Sequence, residues 1–126
     1  NKYVDGNFGS SIPMNPNGVS AGCVKGDCTN GFGVYIFDNG GVYVGDFKNS
    51  GLFMGVFYYK NGDIYKGSFN PTTGRFNGYG VMNYKESGDF YKGEWLDGKL
   101  NGKCLSYTKE KFYKDEWKDH KVVKSF

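Results

Sequence analysis

Hydrophobic and polar positions alternate along much of this chain with a period of two, and the alternation comes in short, similar blocks. Four blocks share one form: an aromatic, a spacer, a glycine or its substitute, a spacer, an aromatic. They are Tyr43-Val44-Gly45-Asp46-Phe47, Tyr65-Lys66-Gly67-Ser68-Phe69, Tyr91-Lys92-Gly93-Glu94-Trp95 and Tyr113-Lys114-Asp115-Glu116-Trp117, and their starts are 22, 26 and 22 residues apart. On a strand, positions i, i+2 and i+4 face one side, so both rings and the glycine share a face. The glycine leaves a gap over which an aromatic of the next strand lies. The spacers are mostly polar and face the other way, which predicts half-buried strands. The residue before each phrase is Val42, Ile64, Phe90 or Phe112. It lies opposite the tyrosine, so the second face is not wholly polar.

After the phrases come glycine-containing turns: Asn49-Ser50-Gly51, Asn70-Pro71-Thr72-Thr73-Gly74 and Asp97-Gly98. Companion strands are read at Gly31 to Phe37, Gly55 to Tyr59 and Gly78 to Tyr84, closed by Asp38-Asn39-Gly40, Lys60-Asn61-Gly62 and Glu86-Ser87-Gly88. Asn-Gly between alternating hydrophobics is a strong hairpin signal. Each repeat is therefore two antiparallel strands, and successive repeats extend one sheet. A period of this size marks a repeat array, an architecture that presents extended binding surfaces. The expected organisation is an N-terminal degenerate repeat and loop cap over 1–21, then an array over 22–126 of about four repeats and a C-terminal half-repeat cap. Within the cap, Tyr3 to Phe8 reads as a degenerate copy and Ser10 to Gly22 as loop. Cys23 to Cys28 reads as a repeat whose last aromatic has become Cys28. The charged end Lys118-Asp119-His120-Lys121 suits an edge that must resist further pairing.

The unit Tyr-x-Gly-x-Phe/Trp, Gly turn, Gly-x-Gly, Asn-Gly resembles the membrane occupation and recognition nexus (MORN) repeat, most cleanly from Tyr91 to Gly102 and in all from about Gly22 to Trp117. The pattern departs at Phe53-x-Gly55 and at Gly102-Lys103-Cys104. The resemblance implies an all-β, elongated, single-layer twisted antiparallel sheet with a groove on one side. It also implies a scaffold without enzyme activity of its own, binding a partner protein as a helix or peptide along the groove. Contact with anionic phospholipid and self-association are further implied possibilities. These readings favour a cytoplasmic or peripheral-membrane setting.

Composition sharpens this picture. Glycine is 21 of 126 residues and aromatics 19%, and the two are in register, which argues for order rather than a flexible glycine-rich chain. The net charge is +3 with signs interleaved, a solvated pattern rather than the clustered basic stripe of a nucleic-acid binder. No stretch nears the roughly 20 apolar residues of a membrane-spanning helix. The chain opens on Asn1 without an initiator methionine, as expected of a processed chain or a piece of a longer one. Ser20-Ala21-Gly22-Cys23 has the form of a lipoprotein cleavage site, but the residues before it are too polar for that role.

Candidate chemistry is sparse. Three cysteines do not make a disulfide framework. Cys23 and Cys28 would point to opposite faces of a regular strand, and bending at Gly22 and Gly26 leaves their pairing open. His120 is the only histidine and reads as an exposed turn residue. Cys23, Cys28, Cys104 and His120 have the ligand types of a zinc site but no matching spacing, so no metal is expected. No carboxylates are placed for acid–base work, and the Gly-x-Gly pairs are strand spacers, not phosphate loops. A choline-binding module is a weak rival, because its usual Gly-Trp pairs are absent. No catalytic residue or cofactor is expected. Tyr43, Phe47, Tyr65, Phe69, Tyr91, Trp95, Tyr113 and Trp117 share one face, either as the core or as the wall of a partner-binding groove. Lys66, Lys92 and Lys114 recur at one repeat position as a column for the alternative, anionic-lipid reading.

Overall fold

The computed structural model describes residues 21–126. The copy read at Tyr3 to Phe8 and most of the loop read from Ser10 lie outside these residues, and Gly22 already belongs to a strand. Ten strands form one antiparallel sheet in strictly sequential order. They are β1 (Gly22–Gly26), β2 (Gly31–Ile36), β3 (Val42–Lys48), β4 (Gly51–Tyr58), β5 (Ile64–Phe69), β6 (Phe76–Asn83), β7 (Phe90–Leu96), β8 (Lys99–Thr108), β9 (Lys111–Lys118) and β10 (Lys121–Ser125). The expected all-β, single-layer repeat sheet is thus present. The charged end does not close the sheet: Asp119 and His120 form a turn between Lys118, the last residue of β9, and Lys121, the first of β10.

The register gives this sheet its character. Gly26, Gly33, Gly45, Gly55, Gly67, Gly80 and Gly93 oppose one another strand by strand, making an unbroken glycine row across β1 to β7. Cys104 and Asp115 continue it on β8 and β9. Two of the phrase tyrosines fold down over their own strand's glycine and the glycine opposite, so the covering ring is not only that of a neighbouring strand. Tyr43 lies over Gly45 and Gly55, and Tyr65 over Gly67 and Gly80. Side chains at these glycines would collide with the rings.

Bulges recur with the same regularity. The register shifts in β1–β2, β3–β4, β5–β6, β7–β8 and β9–β10, the two strands of each hairpin. The pairs that join successive hairpins run without a shift. A bulge bends its strand and raises the local twist. Repeated once per unit, it curls the sheet toward the phrase side and lets a single layer enclose its rings. The core that results contains Phe37, Tyr43, Phe57, Tyr65, Phe76, Met82, Trp95 and Leu100, with Tyr65 stacked on Phe76 at 3.6 Å.

Turn tips tie each unit to the one before. The N–H groups of Asn49, Asp97 and Asp119 donate to the Oδ1 atoms of Asn30, Asn77 and Asn101 at 2.9, 3.4 and 3.4 Å. Beside them the N–H groups of Ser50, Gly98 and His120 donate to the carbonyls of Thr29, Phe76 and Leu100. At the opposite edge, buried Asp63 accepts from Lys85 N–H at 2.9 Å and from Asn61 Nδ2 at 3.1 Å, pinning one tip to the next.

Candidate functional site

The eight rings read as a groove wall do not share one fate. Tyr43 and Tyr65 have 0% of their surface exposed, and Phe47, Phe69 and Trp95 no more than 5%. Tyr91 and Trp117 are half-buried and meet edge-to-face at 6.1 Å, and Tyr113 is 42% exposed. The polar tips of the buried rings are turned inward. The Tyr43 hydroxyl donates to Asp46 O at 2.7 Å, Tyr65 to Ser68 O at 3.0 Å, and Trp95 Nε1 to Gly80 O at 3.1 Å. Burial pushes both tyrosine hydroxyls well above their ordinary pKa. These five rings serve as core because the hairpin bulges curl the sheet over them and the glycine row lets them lie flat.

The opposite, free face carries two parallel rows. The first runs Ile36, Val42, Tyr58, Ile64, Asn83, Phe90, Tyr107, Phe112 in direct register across β2 to β9. It is apolar apart from Asn83, and Phe90 stacks on Tyr107 at 5.9 Å. Beside it runs Val34, Val44, Val56, Lys66, Val81, Lys92, Leu105, Lys114. The three lysines of the column are exposed and lie in line, each separated from the next by one apolar residue. Along the outer margin Asp46 opposes Met54, Glu94 opposes Tyr79 and Glu116 opposes Lys103. Tyr79, Lys92, Lys103, Leu105, Lys114 and Phe126 line a depression of about 480 Å³ at the C-terminal end of this face. The contribution of Tyr58, Tyr79 and Lys103 was not singled out from sequence. Marking the spacer positions of the companion strands as well as those of the phrases would have found them.

The remaining candidates resolve locally. Cys23 and Cys28 form a disulfide with a Cα–Cα distance of 5.9 Å, across the β1 bulge and the left-handed Gly26. Cys28 Sγ reaches Gly33, the row position that a tyrosine covers in later units. Cys104 is a buried free thiol whose pKa burial pushes up to about 11. His120 sits in a turn as expected but is half-buried, not exposed: its Nδ1 accepts from Leu100 N–H at 3.1 Å and its ring lies 5.7 Å from Trp117. The disulfide at β1 and the histidine after β9 stand at opposite ends of the strand order, so the four candidate zinc ligands are not brought together. Among the described residues no helix is long and apolar enough to cross a membrane.

Comparison with known proteins agrees with this anatomy. The MORN repeat family matches over residues 22–42, which span β1 and β2, and over 91–107, which span β7 and β8. No curated protein matches the chain. MORN repeats are non-enzymatic scaffolds for protein and membrane interaction. With hairpin repeats in one open sheet and two matched segments in its first and later units, this chain carries MORN repeats at residues 22–42 and 91–107.

Proposed function

We propose that the chain is a non-enzymatic docking scaffold that holds an amphipathic segment of a partner protein on the free face of its sheet. The observation that carries this reading is the pair of register rows there, one apolar and one alternating apolar residues with lysine. On the ring face Tyr43, Tyr65 and Trp95 are packed under other side chains, and a hollow of about 520 Å³ remains at its N-terminal end beside Tyr35, Phe37, Phe47 and Leu52. Tyr91, Tyr113 and Trp117, at the C-terminal end, are the members of that ladder that keep accessible surface. On the free face Phe32, Met54, Tyr58, Tyr79 and Phe112 are all more than two-fifths exposed. Exposed apolar surface of this kind, rimmed by charge, marks interaction sites.

A second reading keeps the same surface and changes the partner. Lys66, Lys92 and Lys114 stand in one line beside exposed aromatics, the combination that draws a peripheral protein to an anionic bilayer. The acids Glu94 and Glu116 lie on the same face and oppose that attraction, which is why the protein partner is favoured.

The test is a two-armed titration. A labelled helical peptide with one apolar and one acidic face is titrated with the chain and followed by anisotropy. Flotation is run in parallel on neutral and anionic vesicles at low and high salt. Saturable peptide binding that Tyr58→Asp weakens at least tenfold, with no flotation, is the expected result. Salt-sensitive flotation on anionic vesicles alone, without peptide binding, would overturn the protein reading in favour of the membrane.

A further inference from the structure

The lysine column constrains its occupant more closely than charge alone. Lys66, Lys92 and Lys114 lie on β5, β7 and β9, two strands apart each time. Neighbouring strands are about 4.8 Å apart, so the positive charges repeat every ~9.6 Å along the array axis. Acidic groups that face all three must repeat at nearly that distance. Seven residues of α-helix rise ~10.5 Å, within easy reach of flexible lysine side chains. One face of an extended strand repeats every ~6.8 Å and falls out of step by the second lysine. A polyproline II chain repeats every ~9.3 Å and keeps step, so spacing alone does not separate it from a helix.

Width separates them. The apolar row Tyr58, Ile64, Phe90 lies two residues along each strand from the lysine row, or ~6.8 Å to the side. A helix about 10 Å across covers both rows at once, whereas a single extended chain covers one. The residues between the lysines, Val81 and Leu105, are half-buried and apolar, so the occupant also needs an apolar strip alongside its acids. On the outer margin Glu94 and Glu116 outnumber Lys103, which opposes Glu116, so that margin on balance repels acids. They fix which flank of the helix the acids occupy.

Resting on the docking reading above, we infer that the occupant is an acidic amphipathic helix of at least about 15 residues lying across the strands. Its acids sit seven residues apart against Lys66, Lys92 and Lys114, and its apolar strip covers Val81, Leu105 and Phe90. Exposed ion pairs contribute modestly one by one, so three of them in line account for about a tenfold difference in affinity.

The experiment compares peptides of identical composition on the intact chain by anisotropy at low salt. One carries acids seven apart on the flank described, a second carries the same acids on the opposite face of the helix, and a third is a polyproline II peptide with an acid at every third residue. The chain is also made with Lys66→Glu, Lys92→Glu and Lys114→Glu together, all exposed positions, with circular dichroism as the check on folding. The matched helix is expected to bind about tenfold tighter than the displaced one. That advantage should vanish on the triple variant and return when the peptide's acids are exchanged for lysines. Equal binding of the two helices overturns the inferred register while leaving the docking face in place. Tighter binding of the polyproline peptide overturns the helix. No binding by any peptide overturns the docking reading itself. Flotation on anionic vesicles that the triple variant abolishes assigns the column to a membrane and overturns both.

Discussion

Replacing Gly80 by alanine tests the packing of rings on the glycine row. Gly80 has no left-handed backbone, so alanine meets no dihedral penalty there and relieves part of the entropic cost of a glycine in a strand, roughly 0.5–1 kcal/mol in its favour. Against that gain, the new methyl falls on the Tyr65 hydroxyl and ring, with Cε1 only 2.8 Å away. Tyr65 has nowhere to retreat: it is fully buried, stacked on Phe76 and edge-on to Trp95 at 5.9 Å. Overpacking of this kind costs about 1–3 kcal/mol. Loss of the Tyr65 hydroxyl bond to Ser68 O adds about 1 kcal/mol. The balance is a destabilisation of about 2–3 kcal/mol, or a fall in Tm on the order of 10 °C for a chain of this length. Urea denaturation of the wild type, Gly80→Ala, Tyr65→Leu and the double variant gives the coupling between the two sites. It should reach at least about 1 kcal/mol, because the smaller leucine makes room for the methyl. The control is Gly88→Ala, where nothing lies within 4 Å and only the left-handed backbone, at φ 75°, resists the change. A Gly80→Ala variant within about 0.5 kcal/mol of wild type, or a coupling near zero, would refute the account of the row as a bed for the tyrosines.

Four further outcomes are expected. The folded Cys104 thiol has its pKa raised by burial from 9.0 to about 11 and those of Tyr43 and Tyr65 are raised further, so the unfolded chain loses these protons first; stability should hold up to about pH 9 and fall through pH 11, read as the urea midpoint against pH. Asp63→Ala removes the acceptor of Lys85 N–H and should cost about 1–3 kcal/mol by urea titration, with amide exchange at Lys85 rising more than exchange at Val81. Joint substitution of Cys23 and Cys28 by serine should lower stability by about 2 kcal/mol, and the same loss should appear on adding reductant to the wild type but not to the variant. Glu110→Gly should stabilise the chain by about 1 kcal/mol in thermal melts, since Glu110 holds φ 65° in the turn between β8 and β9.

The parts of the fold that were legible in the sequence are those set within a single hairpin. Alternation in Tyr65-Lys66-Gly67-Ser68-Phe69 marks a strand, Lys60-Asn61-Gly62 marks its turn, and their recurrence marks the array. Which face closes is decided by pairing between strands. The bulges that curl the sheet, and the alignment of Gly55, Gly67 and Gly80 into a row, exist only once register is set. Sequence therefore left Tyr43 and Trp95 readable as core or groove, and it marks only the phrase-strand half of each free-face row, because the members on the companion strands fall into line only through pairing. The turn at Lys109 and Glu110 was unread because neither residue favours the left-handed conformation both adopt. His120 is similar: nothing local tells that its Nδ1 meets Leu100, a residue 20 positions earlier.

The glycine row also restricts how such an array can change length. A slip of one residue between neighbouring strands would move every glycine off the row and set Tyr43 or Tyr65 onto a side chain, so the row works as a reading frame for the whole sheet. Insertions inside strands shift the frame, while insertions in the connections leave it intact. This chain already carries such a change. The interval along the row is 10 residues from Gly45 to Gly55 but 13 from Gly67 to Gly80; two of the three extra residues lie in the longer connection between Phe69 and Phe76, and the third is absorbed by the bulge. Whole hairpins can be duplicated or deleted in frame, each altering the length of the free face by about 10 Å. Arrays of this type can therefore be lengthened or shortened to suit what they carry without redesign of any single unit.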